Sequence, residues 1–237
     1  MTSSLSVDYS LHENVYRVLR ARGEPGWSSD EEYAVMFNLV APGLPPVTRE
    51  TSPRVLELGC GAGNFSFMLA KQGYSVTGVD ISATAVDWAN ERVAGAGAVF
   101  RVDNVIGLSS CDDASFDAVI DGHCLHCIIG EDRARCLSSV HRVLKPGGVF
   151  VVLTMCGAVI DERLRKLFDP VTNVVVVDGR STRYIGSVDA IAAEVERAGF
   201  EIAAMHVEAR KTGAEQDDLV IYARKLGNPR AWPIAHR

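Results

Sequence analysis

From Arg54 onward, short β-rich runs alternate with helical stretches, and this alternation restricts the chain to few folds. The β-rich runs are RVLEL (54–58), SVTGVD (75–80), AVFRV (98–102), FDAVID (116–121) and VFVVLT (149–154). This rhythm is typical of a parallel sheet that carries helices on both faces. Two further runs, 200–207 and 218–224, are joined by a loop too short for a crossover helix, so we expect them to pair antiparallel.

A chain of 237 residues suits one domain of this kind with a small N-terminal addition. The predicted divisions are a helical cap (1–49), a core (50–224) and a C-terminal tail (225–237). Two helices are expected in the cap, because Ser10 with Glu13 and Ser29 with Glu32 have capping-box spacing. A less regular insertion over 155–187 is open to two interpretations, a lid over the ligand crevice or an extension of the sheet edge.

Composition narrows the range of partners. Lys and Arg number 24 against 30 Asp and Glu, a net charge of −6, so we expect a small-molecule partner and no nucleic acid. The N-terminus does not resemble a signal peptide and no run approaches about 20 apolar residues, so no membrane contact and a cytoplasmic location are expected. The six cysteines are then interpreted as reduced thiols. A homodimer is compatible with the composition of the chain.

A glycine-rich turn follows the first predicted strand. In VLELGCGAGNFS, the glycines let the backbone approach a ligand and the turn directs free N–H groups towards it. The dinucleotide pattern GxGxxG requires glycine where this chain has Asn64, which weakens an NAD interpretation. Asp80 closes the second strand about 20 residues beyond Gly59, a position suited to the hydroxyls of a ribose. That carboxylate fits NAD and S-adenosylmethionine equally.

The ordered series ELGCGAG, VTGVDIS, RVDN, FDAVID and VLKPGG resembles the motifs of class I S-adenosylmethionine-dependent methyltransferases. The resemblance covers about residues 50–224 and implies an α/β, Rossmann-like, seven-stranded sheet of order 3-2-1-4-5-7-6 with strand 7 antiparallel. It implies S-adenosylmethionine as cofactor. The implied cofactor-binding residues are Glu57, Gly59, Gly61, Asp80, Ile81, Asp103, Asn104 and Asp121. Among these, Ile81 would flank the adenine and Asp103 would approach its amino group.

The stretch IDGHCLHCIIG follows the fourth strand, where this family faces the transferable methyl group. His123 and His126 are three residues apart and share a face if the segment turns helically, so both are candidate catalytic residues. With His206 on a late strand and Asp121 nearby, the histidines suggest a divalent metal site for zinc, iron, nickel or cobalt. A metal-free acid/base site and a structural role remain open. The CxxC pair has no second pair, which favours packing over zinc.

The longer stretch DGHCLHCIIGEDR, with the cap and the RSTRYIG segment, is similar to bacterial methyltransferases that methylate the β-carbon of 2-oxo acids in the synthesis of nonproteinogenic amino acids. This resemblance implies a 2-oxo acid substrate and an enolate stabilised by metal, with His126, His206 and His123 as ligands. Arg183 and Arg180 are candidates for holding the substrate carboxylate, because guanidinium can pair with it bidentately. Tyr184 and Tyr16 are candidates for lining the substrate pocket.

Three alternatives remain at the level of sequence. The chain could methylate oxygen or nitrogen of another small metabolite, with His126 or His123 as general base. It could bind S-adenosylmethionine without turnover, although the histidine-rich segment argues against this. The third alternative is an NAD-dependent oxidoreductase.

Overall fold

The computed structural model describes residues 7–93, 97–209 and 216–226. Its helices are α1 (Leu11–Ala21), α2 (Asp30–Val40), α3 (Asn64–Lys71), α4 (Ala83–Val93), α5 (Glu131–Val143), α6 (Glu162–Arg165) and α7 (Val188–Arg197). Its strands are β1 (Arg54–Leu58), β2 (Ser75–Asp80), β3 (Ala98–Val102), β4 (Phe116–Gly122), β5 (Leu144–Cys156), β6 (Phe168–Asp169), β7 (Val174–Val177), β8 (Arg180–Tyr184), β9 (Phe200–Glu208) and β10 (Asp217–Lys225). The predicted tail lies outside the described residues beyond Leu226.

Seven strands form one sheet of order β3-β2-β1-β4-β5-β10-β9. Strands β1 to β5 pair in parallel, and β10 runs antiparallel to both β5 and β9. The predicted α/β Rossmann-like fold is therefore confirmed. The labels differ from 3-2-1-4-5-7-6 only because the insertion contributes three strands that the sequence did not indicate.

Both faces of the central strands are buried, which explains their nearly continuous apolar runs. Val55 of β1 lies in a buried cluster with Val40 of α2 and Phe65 of α3. The next residue, Leu56, lies in the opposite cluster with Leu137 of α5. Because successive strand residues face opposite sides, β1 is held from both layers, and its carboxyl end is a rigid support for a ligand site.

The two predicted capping boxes have different outcomes. Ser29 and Glu32 form the reciprocal pair at the start of α2, as expected. The pair at α1 is wrong, because the Ser10 side chain makes no cap bond there and donates to Asp8 instead. Glu13 reaches across to α4, where its carboxylate accepts the hydroxyl hydrogen bonds of Ser82 and Thr84, both at 2.6 Å. Its pKa is lowered to about 2, chiefly by those two hydrogen bonds.

The insertion forms α6 and a small antiparallel sheet of β6, β7 and β8, called the small sheet below. Its register shifts between Val175 and Val176, opposite Arg183 and Ser181, so Thr182 is the extra residue of a β-bulge. An isolated parallel bridge joins Val7 to Ser181 and so connects the N-terminal cap to this sheet. Of the helices in the described ranges, none has the length and apolar character needed to cross a bilayer.

Candidate functional site

The glycine turn after β1 adopts a conformation that side chains disfavour. Gly59 and Gly61 have φ of +63° and +53°, in the left-handed region. A β-carbon at Gly59 would lie 2.9 Å from Sγ of Cys124, and one at Gly61 would overlap the Tyr16 hydroxyl. The turn therefore requires glycine for both conformation and space. It brings the backbone to the edge of a cavity at the carboxyl ends of the parallel strands.

Asp80 fixes this turn from the neighbouring strand. Its Oδ2 accepts the N–H of Gly61 at 2.9 Å, and its Oδ1 accepts the N–H of Ser82 at 2.8 Å. Burial raises the pKa of Asp80, and these two hydrogen bonds oppose that rise. Each carboxylate oxygen has a further lone pair, so the group retains the capacity to accept hydrogen bonds from the hydroxyls of a ribose.

Glu57 is a second buried carboxyl beside the turn. Its Oε2 accepts the hydroxyl of Ser66. Burial raises the pKa of Glu57 to about 8, although the Ser66 hydrogen bond opposes the rise. Neither Glu57 nor Asp80 forms an ion pair with a described residue. A ligand that brings positive charge, as the sulfonium and ammonium groups of S-adenosylmethionine do, would lower the pKa of both buried carboxyls and so favour their ionised form.

The raised pKa of Glu57 predicts a dependence of stability on pH. The carboxyl keeps its proton in the folded state up to pH of about 8, whereas the unfolded chain loses it near 4.5. The stabilisation is therefore complete below 4.5 and lost as the pH rises to 8, by at most about 1.4 kcal/mol per pH unit. We expect Glu57→Gln to flatten this decline when free energies of unfolding in urea are compared at pH 5 and 8. Glu50→Gln, at an exposed position, is the matched control, and an unchanged slope in Glu57→Gln would contradict the assignment.

The cavity beside the glycine turn has a volume of about 620 Å³. The predicted site residues that line it are Tyr16, Glu57, Gly59, Gly61, Asp80, Ile81, Asn104, His123, His126 and Arg183. Four predicted residues, Asp103, Asp121, Tyr184 and His206, are not part of its lining. The cavity thus joins the cofactor residues at the glycine turn to the histidine segment.

Residues 123–127, called the histidine turn below, include a 3₁₀ turn from Leu125 to Cys127. Asp121 at the end of β4 fixes it, because its Oδ1 accepts the N–H groups of Cys124 at 2.8 Å and Leu125 at 2.7 Å. Burial raises the pKa of Asp121 to about 7, against the opposing effect of these hydrogen bonds. Asp121 does not line the cavity and supports the turn through these hydrogen bonds. The sequence instead predicts direct contact between Asp121 and the cofactor.

His123 is held in an unusual backbone conformation with φ of +67°. Such strain in a non-glycine residue is characteristic of functional sites. Its Nε2 lies 3.4 Å from Oδ2 of Asp218, a buried carboxylate on β10, and its ring meets that of His126 edge-on at 5.7 Å. Asp218 was not identified from the sequence, because its proximity to His123 depends on the antiparallel register of β10 with β5.

His126 is only 5% exposed. Its Nδ1 is buried and has no hydrogen-bond partner in the described part of the chain. Burial lowers the pKa of His126 well below its usual value, and nearby His123 and Arg183 lower it further. The ring is therefore neutral at physiological pH.

The three histidines predicted as metal ligands do not form one cluster in the described part of the chain, although His123 and His126 are neighbours. His206 lies on the edge strand β9, exposed, with its ring against Tyr222 at 6.1 Å, while His123 faces Asp218. Within residues 7–93, 97–209 and 216–226, no group of three or more His, Cys, Asp or Glu side chains is placed to hold a metal ion. The predicted ligand set does not fit this arrangement, because β9 is the edge of the sheet beyond β10.

The small sheet closes one side of the cavity with Ser181, Thr182 and Arg183. The β-bulge allows these consecutive residues to contribute to one wall, since it changes the direction of the side chains. Arg183 makes no ion pair with any residue that the structure describes. Tyr184 was expected in the pocket but faces the other way, where its ring stacks on the guanidinium of Arg133 at 4.0 Å.

Asp103 serves its own loop and does not line the cavity. Its carboxylate accepts hydrogen bonds from the N–H groups of Asn104 and Ser110 and from the hydroxyls of Ser109 and Ser110. Burial raises the pKa of Asp103, but these hydrogen bonds outweigh burial and lower it overall. The neighbouring Asn104 and Val105 line the cavity in its place.

Cys124 and Cys127 also face the cavity, as free thiols. Burial raises the pKa of Cys127 to about 12 and that of Cys124 well above its usual value. Thiols with such pKa values are poor nucleophiles and poor metal ligands at neutral pH. The interpretation of the CxxC pair as packing is consistent with these contacts.

Known proteins resemble this chain in the same region. A family model described as a methyltransferase domain matches residues 56–152. YqeM of Bacillus subtilis, named as a methyltransferase, is 31% identical over 102 residues, which is 41% of this chain and 40% of YqeM. The ubiquinone/menaquinone biosynthesis C-methyltransferase UbiE of Vibrio cholerae is 28% identical over 170 residues, 62% of this chain and 64% of UbiE. The chain therefore spans less than two thirds of the length of either relative.

A solved structure extends the similarity to the fold. The crystal structure of a SAM-dependent methyltransferase from Methanosarcina mazei is 27% identical, with a TM-score of 0.63, and the match covers 75% of this chain and 94% of that one. The region of sequence similarity contains the glycine turn, Asp80 and the histidine turn. Sheet order, turn geometry and relatives agree: residues 56–152 match the methyltransferase domain family, and the fold is that of the class I S-adenosylmethionine-dependent methyltransferases.

Proposed function

We propose that this protein transfers a methyl group from S-adenosylmethionine to the β-carbon of a small 2-oxo acid. One observation carries the proposal: His123, paired with the buried Asp218, and Arg183, which has no ion pair among the described residues, line the same cavity. A histidine supported by a carboxylate suits proton removal, and a guanidinium suits a carboxylate substrate. The resemblance of UbiE, a C-methyltransferase by name, is in keeping with a carbon acceptor.

The residues of the glycine turn would hold the cofactor. Asp80 would accept hydrogen bonds from the ribose hydroxyls, Ile81 would flank the adenine, and Glu57 would lie near the positive charge of the cofactor. When bound, S-adenosylmethionine supplies an electrophilic methyl group on a positively charged sulfur. The loss of that charge on transfer weakens the attraction of the buried carboxyls for the product.

The histidine turn would perform the proton chemistry. With Nε2 directed at the Asp218 carboxylate, the imidazole of His123 would be the base that takes a proton from the β-carbon. The carbanion, delocalised onto the 2-oxo oxygen, forms the new carbon–carbon bond as the carbon–sulfur bond breaks. Asp218 stabilises the imidazolium until its proton is lost to solvent. No step is assigned to a metal, because the described donors do not form a ligand set.

The wall around His123 favours an apolar substrate side chain. Met36 of α2 lies over Gly122, where an added β-carbon would be 3.4 Å from its Sδ. Met155 is the cross-strand neighbour of Asp218, and Leu153 completes this part of the lining. Apolar side chains here exclude water from the reacting carbon and adapt to different aliphatic groups.

Arg183→Met should raise the KM for the acceptor. A charge-assisted hydrogen bond to a carboxylate contributes about 1.5 to 3 kcal/mol, so its loss predicts an increase of roughly 10- to 100-fold with little change in cofactor affinity. Arg180→Met is the matched control, because Arg180 lies in the same strand but is not part of the cavity lining and pairs with Asp8 at 3.8 Å. Steady-state kinetics on both variants measure the KM for the acceptor. Equal KM values in the two variants would contradict the binding of the substrate carboxylate by Arg183.

A nitrogen acceptor is the second candidate, and the charge at the cavity mouth favours it. Glu31, Glu32 and Glu208 are exposed carboxylates in the lining and would attract an amine. His123 would then deprotonate an ammonium group in place of a carbon acid.

A screen by mass spectrometry separates these functions. The full chain is incubated with S-adenosylmethionine and panels of 2-oxo acids, amines and phenols, with and without chelator. A mass gain of one methyl group on 2-oxo acids supports the proposal, and a gain only on amines or phenols replaces it. Loss of product with chelator, restored by added metal, would reinstate the metal hypothesis. Cofactor binding without any product would favour the non-catalytic alternative.

A further inference from the structure

Arg133 of α5 lies beneath the histidine turn and is only 3% exposed. Its Nη1 donates to the carbonyl oxygens of Leu125 at 2.6 Å and Ile128 at 3.2 Å. These carbonyls flank His126 and Cys127 on both sides. The same guanidinium group therefore holds the 3₁₀ segment at its first residue and at the residue that follows it.

The other donors of Arg133 connect to different elements. Nε and Nη2 donate to Oε2 of Glu194 on α7, at 3.0 and 2.6 Å. The face of the guanidinium stacks on the ring of Tyr184 at 4.0 Å, and Tyr184 directly follows Arg183 in β8. Arg133 thus contacts both the turn that carries His126 and the strand that carries Arg183 of the cavity wall.

We infer that Arg133 is a positioning residue, which fixes the histidine turn and the Arg183 strand at the separation that one small substrate requires. The inference rests on the proposed function only in the identity of that substrate. Arg133 does not line the cavity, so it acts through the residues that it holds. A displacement of about 1 Å between such groups is enough to lower a rate by about 100-fold.

The chemistry of guanidinium explains why arginine stands at this position. A planar fork can donate to two carbonyls and a carboxylate while its face stacks on an aromatic ring. Lysine keeps the charge but offers a single nitrogen, which cannot reach all three elements. The Glu194 carboxylate compensates the buried charge, so removal of the fork leaves Glu194 and both carbonyls without their donors.

The test compares Arg133→Lys, Tyr184→Leu and Tyr184→Phe in the full chain. The Tyr184 pair is matched, since phenylalanine keeps the ring that stacks on Arg133 and leucine removes it. Hydrogen exchange by mass spectrometry needs no substrate. We expect Arg133→Lys and Tyr184→Leu to speed exchange at least 10-fold in peptides covering 123–130 and 180–186, with peptides of β1 and α3 unchanged. Tyr184→Phe should match the wild type.

Kinetics then distinguish positioning from simple loss of stability. On whichever acceptor the wild type methylates, we expect Arg133→Lys and Tyr184→Leu to lower kcat about 10- to 100-fold while the KM for S-adenosylmethionine stays unchanged. A 2-oxo acid panel without product contradicts the proposed function, whereas wild-type exchange and wild-type kcat in Arg133→Lys overturn the role of Arg133. If Arg133→Lys fails to fold, equal exchange and kcat in Tyr184→Leu and Tyr184→Phe would overturn it.

Discussion

His123→Ala is expected to lower kcat by about 10²- to 10⁴-fold while the affinity for S-adenosylmethionine is retained, because the variant loses the base but keeps the glycine turn. Asp218→Asn should lower kcat less, by about 10- to 100-fold, since the amide keeps the shape of the carboxylate but not the charge that stabilises an imidazolium. Initial rates at saturating cofactor, with calorimetric binding of the cofactor, measure both effects.

His206→Ala is the matched control for this experiment. Its ring is exposed on β9 and absent from the cavity lining, so we expect the wild-type rate. A metal site that includes His206 requires the opposite result. Equal inactivation by His123→Ala and His206→Ala would therefore restore the metal hypothesis, and wild-type activity of His123→Ala would remove the base assignment.

Asp80→Ala is expected to weaken S-adenosylmethionine binding by at least about 100-fold. The carboxylate fixes the N–H groups of Gly61 and Ser82 and, in the proposed complex, would accept hydrogen bonds from the ribose hydroxyls. Hydrogen bonds to a charged group contribute about 1.5 to 3 kcal/mol each. Asp80→Asn, which keeps two polar atoms but no charge, should give an intermediate loss. Titration calorimetry gives the dissociation constants, and thermal unfolding reports whether the variants remain folded.

Asp87→Ala controls for the loss of one negative charge in the same region. Asp87 lies on α4 with its side chain exposed, so its removal should leave the dissociation constant unchanged. Wild-type affinity in a folded Asp80→Ala variant would refute the ribose assignment.

The fold was predictable because local patterns and burial agree along β1 to β5. The alternation of β-rich runs and helices predicts these strands. The short connection between 200–207 and 218–224 predicts the antiparallel pairing of β9 and β10. The small sheet was not predictable, since its strands are short and have no helical crossovers to set their order. The spacing of Ser10 and Glu13 predicts a capping box at α1. No local pattern shows that the hydroxyls of Ser82 and Thr84 compete for the Glu13 carboxylate.

The candidate site likewise contains residues that the sequence predicts and residues that it does not. The cofactor side depends on residues close in sequence to strand ends, so Asp80, Gly59 and Gly61 were predictable from motif spacing. The substrate side depends on long-range contacts. The proximity of Asp218 to His123 requires the register of β10, and the orientations of Arg183 and Tyr184 depend on a bulge opposite Val175 and Val176 that composition does not reveal.

The most direct measurement is the position of the transferred methyl group. Carbon-13 NMR of the product from methyl-labelled S-adenosylmethionine and an aliphatic 2-oxo acid distinguishes the three types of acceptor by chemical shift. Methylation of the β-carbon predicts a labelled methyl in the aliphatic carbon range, with its protons split by the single remaining β-hydrogen and its signal absent with His123→Ala. A labelled methyl at the shift of a methoxy or N-methyl group, or no labelled product despite cofactor binding, would contradict β-carbon methylation.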